Sequence, residues 1–514
     1  MVASQSPPVR PRILAARLER TGDLSGALAA YEAALLETPD DAGLLTSVAR
    51  LAEQIQAPEV AAGLWAKVCV LRPGDPEPVN GRARALAELG RFEEAIAVLR
   101  IALQDDPNEP RLWTRLGVTL VQDGQTEQAL TFFDEAIRLD ERSAVATYNR
   151  GGAYFDLGRL DAAHADFALA RKLARKPADA AMIDMAAALL ALAQGDLAAG
   201  WDAYEARLSR DLPSAPVFDA PGRRWTPDAP LAGKRLLVVA EQGLGDEVMF
   251  ANLLPDVLEA LGPDGQLTLS VEPRIVELIR RSFARVAVTA HTTEMRNGRR
   301  RRATPQVDPR SVDYWAPLAS LPRRFRRSLA DFPANGGYLR PDPARVAHWR
   351  SWLGAGAPAV GITWRSGDLR GDRRRNYPSP DQWVSVLKTP GVRFVNLQYG
   401  DCAEDLRTFA DLSGAEILAP PGLDIREDID DLAALAAALD LVVSVGNATG
   451  ALAGACGCPL VLIAGPSAWP RLGSDDYPWY PQARVLSAPT FREWEPVMQA
   501  AQSMVADLAA RRSS

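Results

Sequence analysis

The sequence predicts an α-helical repeat solenoid followed by a two-lobed α/β region. Three observations support this prediction: a repeat of 34 residues in the first half, a segment rich in Pro, Gly and Asp from residue 211, and alternating strand and helix patterns after residue 233. The 514 residues leave room for about three domains of ordinary size. Apolar residues make up 47% and charged residues 24%, which is typical of globular proteins and excludes a wholly disordered chain.

The repeat is clearest in three columns of residues spaced by 34 positions. A small residue recurs at Ala27, Ala61, Ala95, Ala129 and Ala163. The turn before it reads Gly22, Gln56, Gly90, Gly124 and Gly158. A larger side chain follows at Tyr31, Trp65, Leu99, Phe133 and Phe167. This length and these residue types are those of the tetratricopeptide repeat (TPR), a helix pair. Five copies and a capping copy around Gly195 predict a TPR superhelix over residues 8–210, whose groove is suited to a protein segment.

The second half is predicted from apolar runs that alternate with helical patterns. Such runs are KRLLVVA (234–240) and QLTLSVE (266–272), and later AVGITWR (359–365) and LVVSV (441–445). Buried strands separated by helices indicate parallel sheets, which bind ligands at the carboxyl ends of their strands. We therefore expect a linker at 211–232, an N-terminal Rossmann-like lobe at 233–341, a C-terminal one at 357–514, and a cleft between them.

Composition narrows the possible partners and location. The 58 basic and 65 acidic residues give no positive excess, so we expect no nucleic-acid partner. No apolar stretch is long enough for a membrane span, and the start of the chain lacks the apolar core of a signal peptide, which predicts a cytoplasmic protein. The four cysteines and three histidines are too scattered for a disulfide framework or a metal site, so we expect no metal.

Several segments resemble one known family. They are LLVVAEQGLGDEVMF (236–250), WRSG (364–367), NLQYGD (396–401), LDLVVSVGNATGALAGACGCP (439–459) and PWYPQARVL (478–486). Together they are similar to the bacterial TPR-linked glycosyltransferases, which have the GT-B fold and are related to heptosyltransferases and to O-GlcNAc transferases. The resemblance covers about residues 195–490. It implies metal-independent, inverting transfer of a sugar from a nucleotide-sugar donor to a hydroxyl of a protein held by the TPR groove, with no cofactor. Some members modify flagellin, which makes flagellin a candidate acceptor.

The resemblance and the residues together single out the loop Gly243-Leu244-Gly245-Asp246. Gly243 and Gly245 would let the backbone approach a substrate closely. In heptosyltransferases the Asp that matches Asp246 deprotonates the acceptor hydroxyl, so the resemblance implies that Asp246 is the catalytic base. The residues alone leave a second interpretation open, in which Asp246 is a helix N-cap ahead of Glu247.

The donor is expected on the second lobe. The predicted substrate-binding residues there are Arg365, Arg375, Gln398, Asn447, Ala448 and Thr449. Asn447, Ala448 and Thr449 follow a buried strand and open a helix, whose free N–H groups would hold a diphosphate. Guanidinium groups at Arg365 and Arg375 would add planar, paired donors for phosphate.

Two alternatives to an active transferase stay open. The family usually has a His where this chain has Ala451, which favours a non-catalytic TPR adaptor that kept the fold. A dinucleotide-binding oxidoreductase is the other: Glu272 lies where a ribose-binding acid is expected, but Val248 stands where a small residue is needed.

Four further features are expected to be structural. Asp428-Ile429-Asp430 looks like a metal-binding Asp-x-Asp motif, but its position predicts a helix cap. Cys456 and Cys458 are predicted to pack in an apolar helix end. The basic run 299–302 is predicted to be a disordered loop, and the run 323–327 a helix face.

Overall fold

The computed structural model describes residues 11–212, 214–296, 299–367, 369 and 371–513. Within them the first 200 residues form helices only. In chain order these are α1 (Pro11–Thr21), α2 (Leu24–Glu37), α3 (Ala42–Gln54), α4 (Pro58–Leu71), α5 (Pro76–Glu88), α6 (Phe92–Asp105), α7 (Pro110–Gln122), α8 (Thr126–Leu139), α9 (Ala144–Asp156), α10 (Leu160–Leu173), α11 (Pro177–Ala193) and α12 (Leu197–Ala203). Helix starts recur every 34 residues, at Ala42, Pro76, Pro110 and Ala144, which confirms the predicted TPR solenoid.

The residues in the repeat columns are buried and packed as their types predict. The five small residues of the second helices are fully buried: Ala27, Ala61, Ala95, Ala129 and Ala163. The large side chains one turn later are buried as well, and two of them pack against glycines, Trp65 against Gly81 of the next repeat and Phe133 against Gly117 of its own repeat. A Cβ placed on Gly81 would lie 2.4 Å from the Trp65 ring, and one on Gly117 would lie 2.6 Å from Phe133. Only a glycine allows these helices to approach so closely.

The turn column has one exception to its glycine rule. Gly22, Gly90 and Gly124 have positive φ angles of 83°, 76° and 79°. Gln56 stands at the same place in the second repeat and has a φ of 61°. A residue with a Cβ is strained in this left-handed region, so the second repeat carries a cost that the other turns avoid.

The chain divides into two compact units. The first holds the described residues up to Tyr154, together with Ala165–Ala174. The second holds Phe155–His164 and most of the chain from Arg175 onward, so it includes α11 and α12. The domain limits 8–210, 211–232, 233–341 and 357–514 remain predictions.

The second unit contains the strands of the described chain. They are β1 (Val217–Asp219), β2 (Arg223–Arg224), β3 (Arg235–Val239), β4 (Gln266–Val271), β5 (Val286–Ala290), β6 (Thr292–Arg296), β7 (Arg299–Ala303), β8 (Tyr314–Pro317), β9 (Ala359–Thr363), β10 (Arg393–Asn396), β11 (Ile417–Leu418), β12 (Leu441–Val445), β13 (Leu460–Ala464) and β14 (Ala483–Ser487). The first sheet has the order β2-β8-β3-β4-β5 and the second the order β11-β10-β9-β12-β13-β14. All pairings recorded in these two sheets are parallel, as the alternation of strands and helices predicts.

Helices connect these strands. The remaining described helices are α13 (Leu244–Phe250), α14 (Leu254–Leu261), α15 (Val276–Ser282), α16 (Pro322–Phe325), α17 (Pro343–Leu353), α18 (Val384–Leu387), α19 (Ala403–Ser413), α20 (Ile429–Ala438), α21 (Ala448–Ala455) and α22 (Glu495–Ser513). Strands β3 and β12 are buried along most of their length, which explains their uninterrupted apolar sequences. None of the described helices is both long and apolar enough to cross a membrane.

The basic run 299–302 was expected to be a disordered loop, and that expectation is wrong. It forms most of β7, which pairs antiparallel with β6 and parallel with β1. Arg302 is 6% exposed and donates to the Thr293 hydroxyl at 2.6 Å. Backbone pairing with β1 and β6 therefore orders a run of basic residues whose sequence alone predicts a solvated loop.

The other structural expectations are met in part. In 323–327 the helix ends at Phe325, and Arg326 is fully buried against Asp256 and Asn252. Asp428 stands at the N-cap position of α20, yet its carboxylate accepts the N–H of Asp424 rather than a helix N–H. Cys456 and Cys458 end α21 as free thiols, and burial raises the pKa of Cys458 to about 12, which confirms packing.

The strained turn gives a first prediction. Replacing Gln56 with Gly should raise the free energy of unfolding of the repeats by about 1 kcal/mol, because glycine adopts positive φ without strain. Urea denaturation measures this change. Gly22→Ala is the matched control: a Cβ there meets nothing within 4 Å, so its φ of 83° alone should make the variant less stable. A destabilising Gln56→Gly would contradict the strain.

Candidate functional site

The carboxyl ends of the two parallel sheets border one cavity of about 670 Å³. Its size is that of an ordinary small-ligand site. From the first sheet, the lining comes from the segments after β3 and β4. From the second sheet, it comes from the segments after β9, β10, β11 and β12 and from the chain between β13 and β14. The lining residues used below are Gly243, Gly245, Asp246, Arg274, Tyr399, Arg426, Gly446, Asn447, Ala448, Thr449, Ala451, Trp469, Tyr477 and Tyr480.

Gly245 brings the two sides of this cavity together. A Cβ on Gly245 would lie 3.1 Å from the Cα of Ala448, so the first turn of α13 touches the first turn of α21. The sequence predicts close approach to a substrate here, and the structure records close approach to a helix. Gly243 is exposed, and its nearest neighbour for an added Cβ is Asp246 Oδ2 at 3.5 Å.

Asp246 lies in the first turn of α13 and lines the cavity. The helix begins at Leu244, so Asp246 is not its N-cap, although its Oδ2 accepts the N–H of Gly243 at 3.3 Å. Burial, helped by the carboxylates of Glu241 and Glu247, raises the pKa of Asp246 to about 6, and the Gly243 N–H and Arg373 oppose this shift. A carboxyl group with a pKa near neutral suits general-base chemistry.

A network of buried polar side chains holds α13, the helix that carries Asp246, against the neighbouring strands. Glu247 Oε2 accepts the N–H of Glu272 at 2.8 Å, and its Oε1 lies 3.3 Å from His291 Nε2. Arg302 in turn lies 2.8 Å from the same His291 nitrogen and donates to the carbonyl of Gln242 at 3.3 Å. These contacts tie the start of α13 to β4 and β7.

The side chains of Asn447 and Thr449 hydrogen-bond to other groups of the protein. Asn447 Oδ1 accepts the N–H of Gly450 at 3.0 Å, and its Nδ2 donates to Thr363 Oγ1 at 2.7 Å. Thr449 Oγ1 donates to the carbonyl of Leu397 at 3.4 Å. What α21 offers to the cavity is its backbone: no hydrogen-bond partner is recorded, within the described residues, for the N–H groups of Ala448 and Thr449.

Gln398 is a buried residue that hydrogen-bonds to the end of β9 and to the loop after it. It is 2% exposed, and its Oε1 accepts from the Thr363 hydroxyl and from the N–H groups of Trp364 and Arg365, each at 3.0 Å. Its Nε2 donates to the carbonyl of Tyr399 at 3.0 Å. Gln398 therefore fixes the loop after β9, and its predicted contact with substrate is untested.

Arg365 and Arg375 do not line the cavity. Arg365 Nε donates to Asp405 at 2.6 Å, and its Nη2 donates to the carbonyl of Asp401. Arg375 pairs with Asp156 at 2.7 Å and stacks over the Phe491 ring at 4.0 Å. Carboxylates distant in sequence thus hold both guanidiniums, and phosphate binding by either remains a prediction without geometric support.

The cavity contains groups that the sequence analysis did not single out. Arg274 lies just after β4 and reaches the carbonyl of Arg426 at 2.7 Å, and both residues line the cavity. Trp469, Tyr477 and Tyr480 form an aromatic wall, in which the rings of Tyr477 and Tyr480 stack with their centroids 5.4 Å apart. Position at a strand end is the signal that could have indicated Arg274.

Comparison with known proteins identifies the family. Protein FlbA of Caulobacter vibrioides is 45% identical over 502 residues, which cover 97% of this chain and 84% of that protein. The chain belongs to the FlbA family. The tetratricopeptide-repeat family also matches residues 14–76, 80–144 and 114–180, which confirms the predicted repeats.

Solved structures resemble parts of this FlbA-family chain. TTC0263, a thermophilic TPR protein of Thermus thermophilus, is 25% identical and covers 35% of the chain and 97% of its own length, with a TM-score of 0.30. MamA 41-end from Desulfovibrio magneticus RS-1 is 21% identical and covers 32% of the chain and 90% of its own length, with a TM-score of 0.26.

The contacts of Arg375 give a second prediction. Arg375→Met should lower the free energy of unfolding by about 2–4 kcal/mol, because it removes one partner of an ion pair between two largely buried side chains, Arg375 and Asp156. Arg374→Met is the matched control, since Arg374 is exposed, and it should unfold like the wild type. If Arg375→Met instead unfolds normally and weakens nucleotide-sugar binding, Arg375 is a phosphate ligand after all.

Proposed function

We propose that this chain is an inverting glycosyltransferase that moves a sugar from a nucleotide-sugar donor to a hydroxyl of a protein acceptor. One observation carries the proposal: Asp246, with its pKa near 6, shares a cavity with the amino-terminal end of α21. A base and an anion-binding helix end are the two groups that such a transfer requires.

The helix end supports a donor site. The N–H groups of Ala448 and Thr449 point along the start of α21, where the helix dipole is positive and a diphosphate is stabilised. Gly446 is exposed just before it and has open space around its Cα, so a phosphate can approach the turn. Arg274 and Arg426 add positive charge to the cavity.

The proposed step needs neither a metal nor a cofactor. The acceptor oxygen attacks the anomeric carbon of the sugar as the bond from that carbon to the diphosphate oxygen breaks. The hydroxyl proton passes to the carboxylate of Asp246, and the nucleoside diphosphate leaves with the bonding electrons, held at α21. Attack from the face opposite the leaving group inverts the anomeric carbon.

The acceptor is proposed to be a protein because of the repeats. TPR solenoids bind protein segments, and here the helices α1–α8 and their turns form a regular array. Flagellin remains the candidate acceptor that the resemblance implies, and a cytoplasmic location is part of the same proposal. The exposed helix faces of the array would select the acceptor.

A non-catalytic adaptor is the second candidate. Ala451 lines the cavity at the position where the related families have a His, so one side-chain contact to a donor is missing. Arg365 and Arg375 are held by carboxylates and leave further contacts unfilled. An adaptor of this kind would keep the fold and the TPR surface and would transfer nothing.

Asp246→Asn separates the two candidates. The amide can still accept the Gly243 N–H but cannot take up a proton, so transfer should fall by about 100-fold or more with donor affinity unchanged. In the wild type the rate should rise with pH through about 6, because only the carboxylate acts as a base. Transfer of radiolabelled sugar to flagellin measures both effects.

Stability provides the control for this variant. Since the folded pKa of Asp246 lies above its unfolded value, ionisation disfavours the folded state as the pH rises through that interval, and the neutral Asn should be at least as stable at pH 7. Asp264→Asn makes the same change at an exposed position and should transfer normally. Normal transfer by a folded Asp246→Asn protein would remove Asp246 from the mechanism.

A further inference from the structure

A second cavity, of about 410 Å³, lies beside the first. It is bordered by the carboxyl end of β3, by α11 and the turn after α12, by Leu212, Ser214 and Pro216, and by strands β6 and β7. Its lining residues are Met185, Tyr204, Arg207, Leu212, Ser214, Pro216, Glu241, Gln242, Gly243, Met295 and Arg300. The transfer step described above uses none of these side chains.

A buried carboxylate in this cavity lacks a donor. Glu241 is 5% exposed, and its Oε1 accepts both Nε and Nη2 of Arg207, at 3.2 and 2.9 Å. Its Oε2 makes no hydrogen bond of normal geometry within the described residues. A buried acceptor left without a donor is costly, so a ligand that brings an N–H or O–H to Glu241 would bind favourably.

The other walls indicate a peptide. Met185, Leu212, Pro216 and Met295 give the cavity apolar surface. Met295 is 68% exposed on β6, which is an edge strand of its three-stranded sheet and is exposed at every residue. An edge strand offers main-chain N–H and C=O groups to an added extended chain, and apolar pockets beside it accept alternate side chains.

The charge at this cavity favours an acidic segment. Arg207 donates hydrogen bonds to Glu241, Glu205 and Ser320, so its charge is already neutralised by the two carboxylates. Arg300 is exposed, and no ion pair is recorded for it within the described residues. It is therefore the cation that a carboxylate of the bound segment would meet.

The two cavities meet at Gly243, which lines both. Gly243 has no side chain between the two cavities, and its N–H donates to Asp246 Oδ2 at 3.3 Å. Asp246 lines the first cavity, so its carboxylate lies one hydrogen bond away from a residue that borders the second.

We propose that the second cavity binds the acceptor as an extended peptide that adds along β6, donates a hydrogen bond to Glu241 and places a Ser or Thr hydroxyl at Asp246. Apolar side chains beside that residue would enter the cavity, and an acidic residue would pair with Arg300. This inference rests on the proposed function for the role of the hydroxyl, but peptide binding can be tested without any transfer.

Photo-crosslinking in the full chain tests the binding. A benzophenone amino acid replaces Met295, which lines the cavity, or Leu412, an exposed apolar residue of α19 that is neither in the lining nor on β6, as the matched control. With a pool of short biotinylated peptides that carry Ser or Thr beside Leu and Asp, labelling at 295 should exceed labelling at 412 by about tenfold. The same peptides with Lys in place of Asp should label weakly. Equal labelling at both positions, or none at 295, would overturn the assignment.

Kinetics separates this proposal from the proposed function. Met295→Trp should fill the cavity and raise the KM for peptide by about tenfold, with donor affinity unchanged, whereas Leu412→Trp, on α19 and outside both cavities, should behave like the wild type. Crosslinking at 295 without transfer from any donor would overturn the transferase and keep the peptide site. Transfer to peptides with a wild-type KM in Met295→Trp would overturn the peptide site and keep the transferase.

Discussion

The close approach of Gly245 to Ala448 is the constraint on which the site depends. At 3.1 Å from a Cβ of Gly245 to the Ala448 Cα, no larger residue fits without moving one helix backbone. This contact puts the first turns of α13 and α21 side by side. A carboxyl group and a helix amino-terminal end, which come from different sheets, therefore line one cavity. Burial there raises the pKa of Asp246 to about 6, which suits the general-base role that we propose for it.

Polar side chains that hydrogen-bond to other protein groups hold the loops around this contact. Asn447 links the turn after β12 to the end of β9, and Gln398 collects three donors from the same strand end. Glu247 anchors α13 to β4 in the same way. Each of these side chains is satisfied by protein, so the loops are ordered before a ligand arrives. From the sequence, polar residues at these positions are expected to contact a ligand directly. In the structure, their side chains instead hydrogen-bond to protein groups and hold the loops in place.

The features predicted from sequence are those fixed by local pattern. The 34-residue period gives the helix pairs and even the place of the strained Gln56, because each repeat contacts only its neighbours. The strand-to-helix step after β3 similarly gives Asp246 its position in the cavity. The contacts of Arg365 and Arg375 could not be predicted in this way, because their carboxylate partners, Asp405 and Asp156, lie far away in the chain. The strand at 299–302 could not be predicted for the same reason, because it forms by pairing with β1 and β6, which come from other parts of the chain.

Calorimetric titration of the full chain with a panel of nucleotide sugars tests the central claim most directly. The account predicts that one donor binds, and that binding persists in Asp246→Asn because the diphosphate is held by the backbone of α21. It also predicts loss of that binding when Gly446 is replaced by a bulky residue before the helix. If no nucleotide sugar binds, or if a dinucleotide binds instead, the cavity is not a donor site and the chain is not a glycosyltransferase.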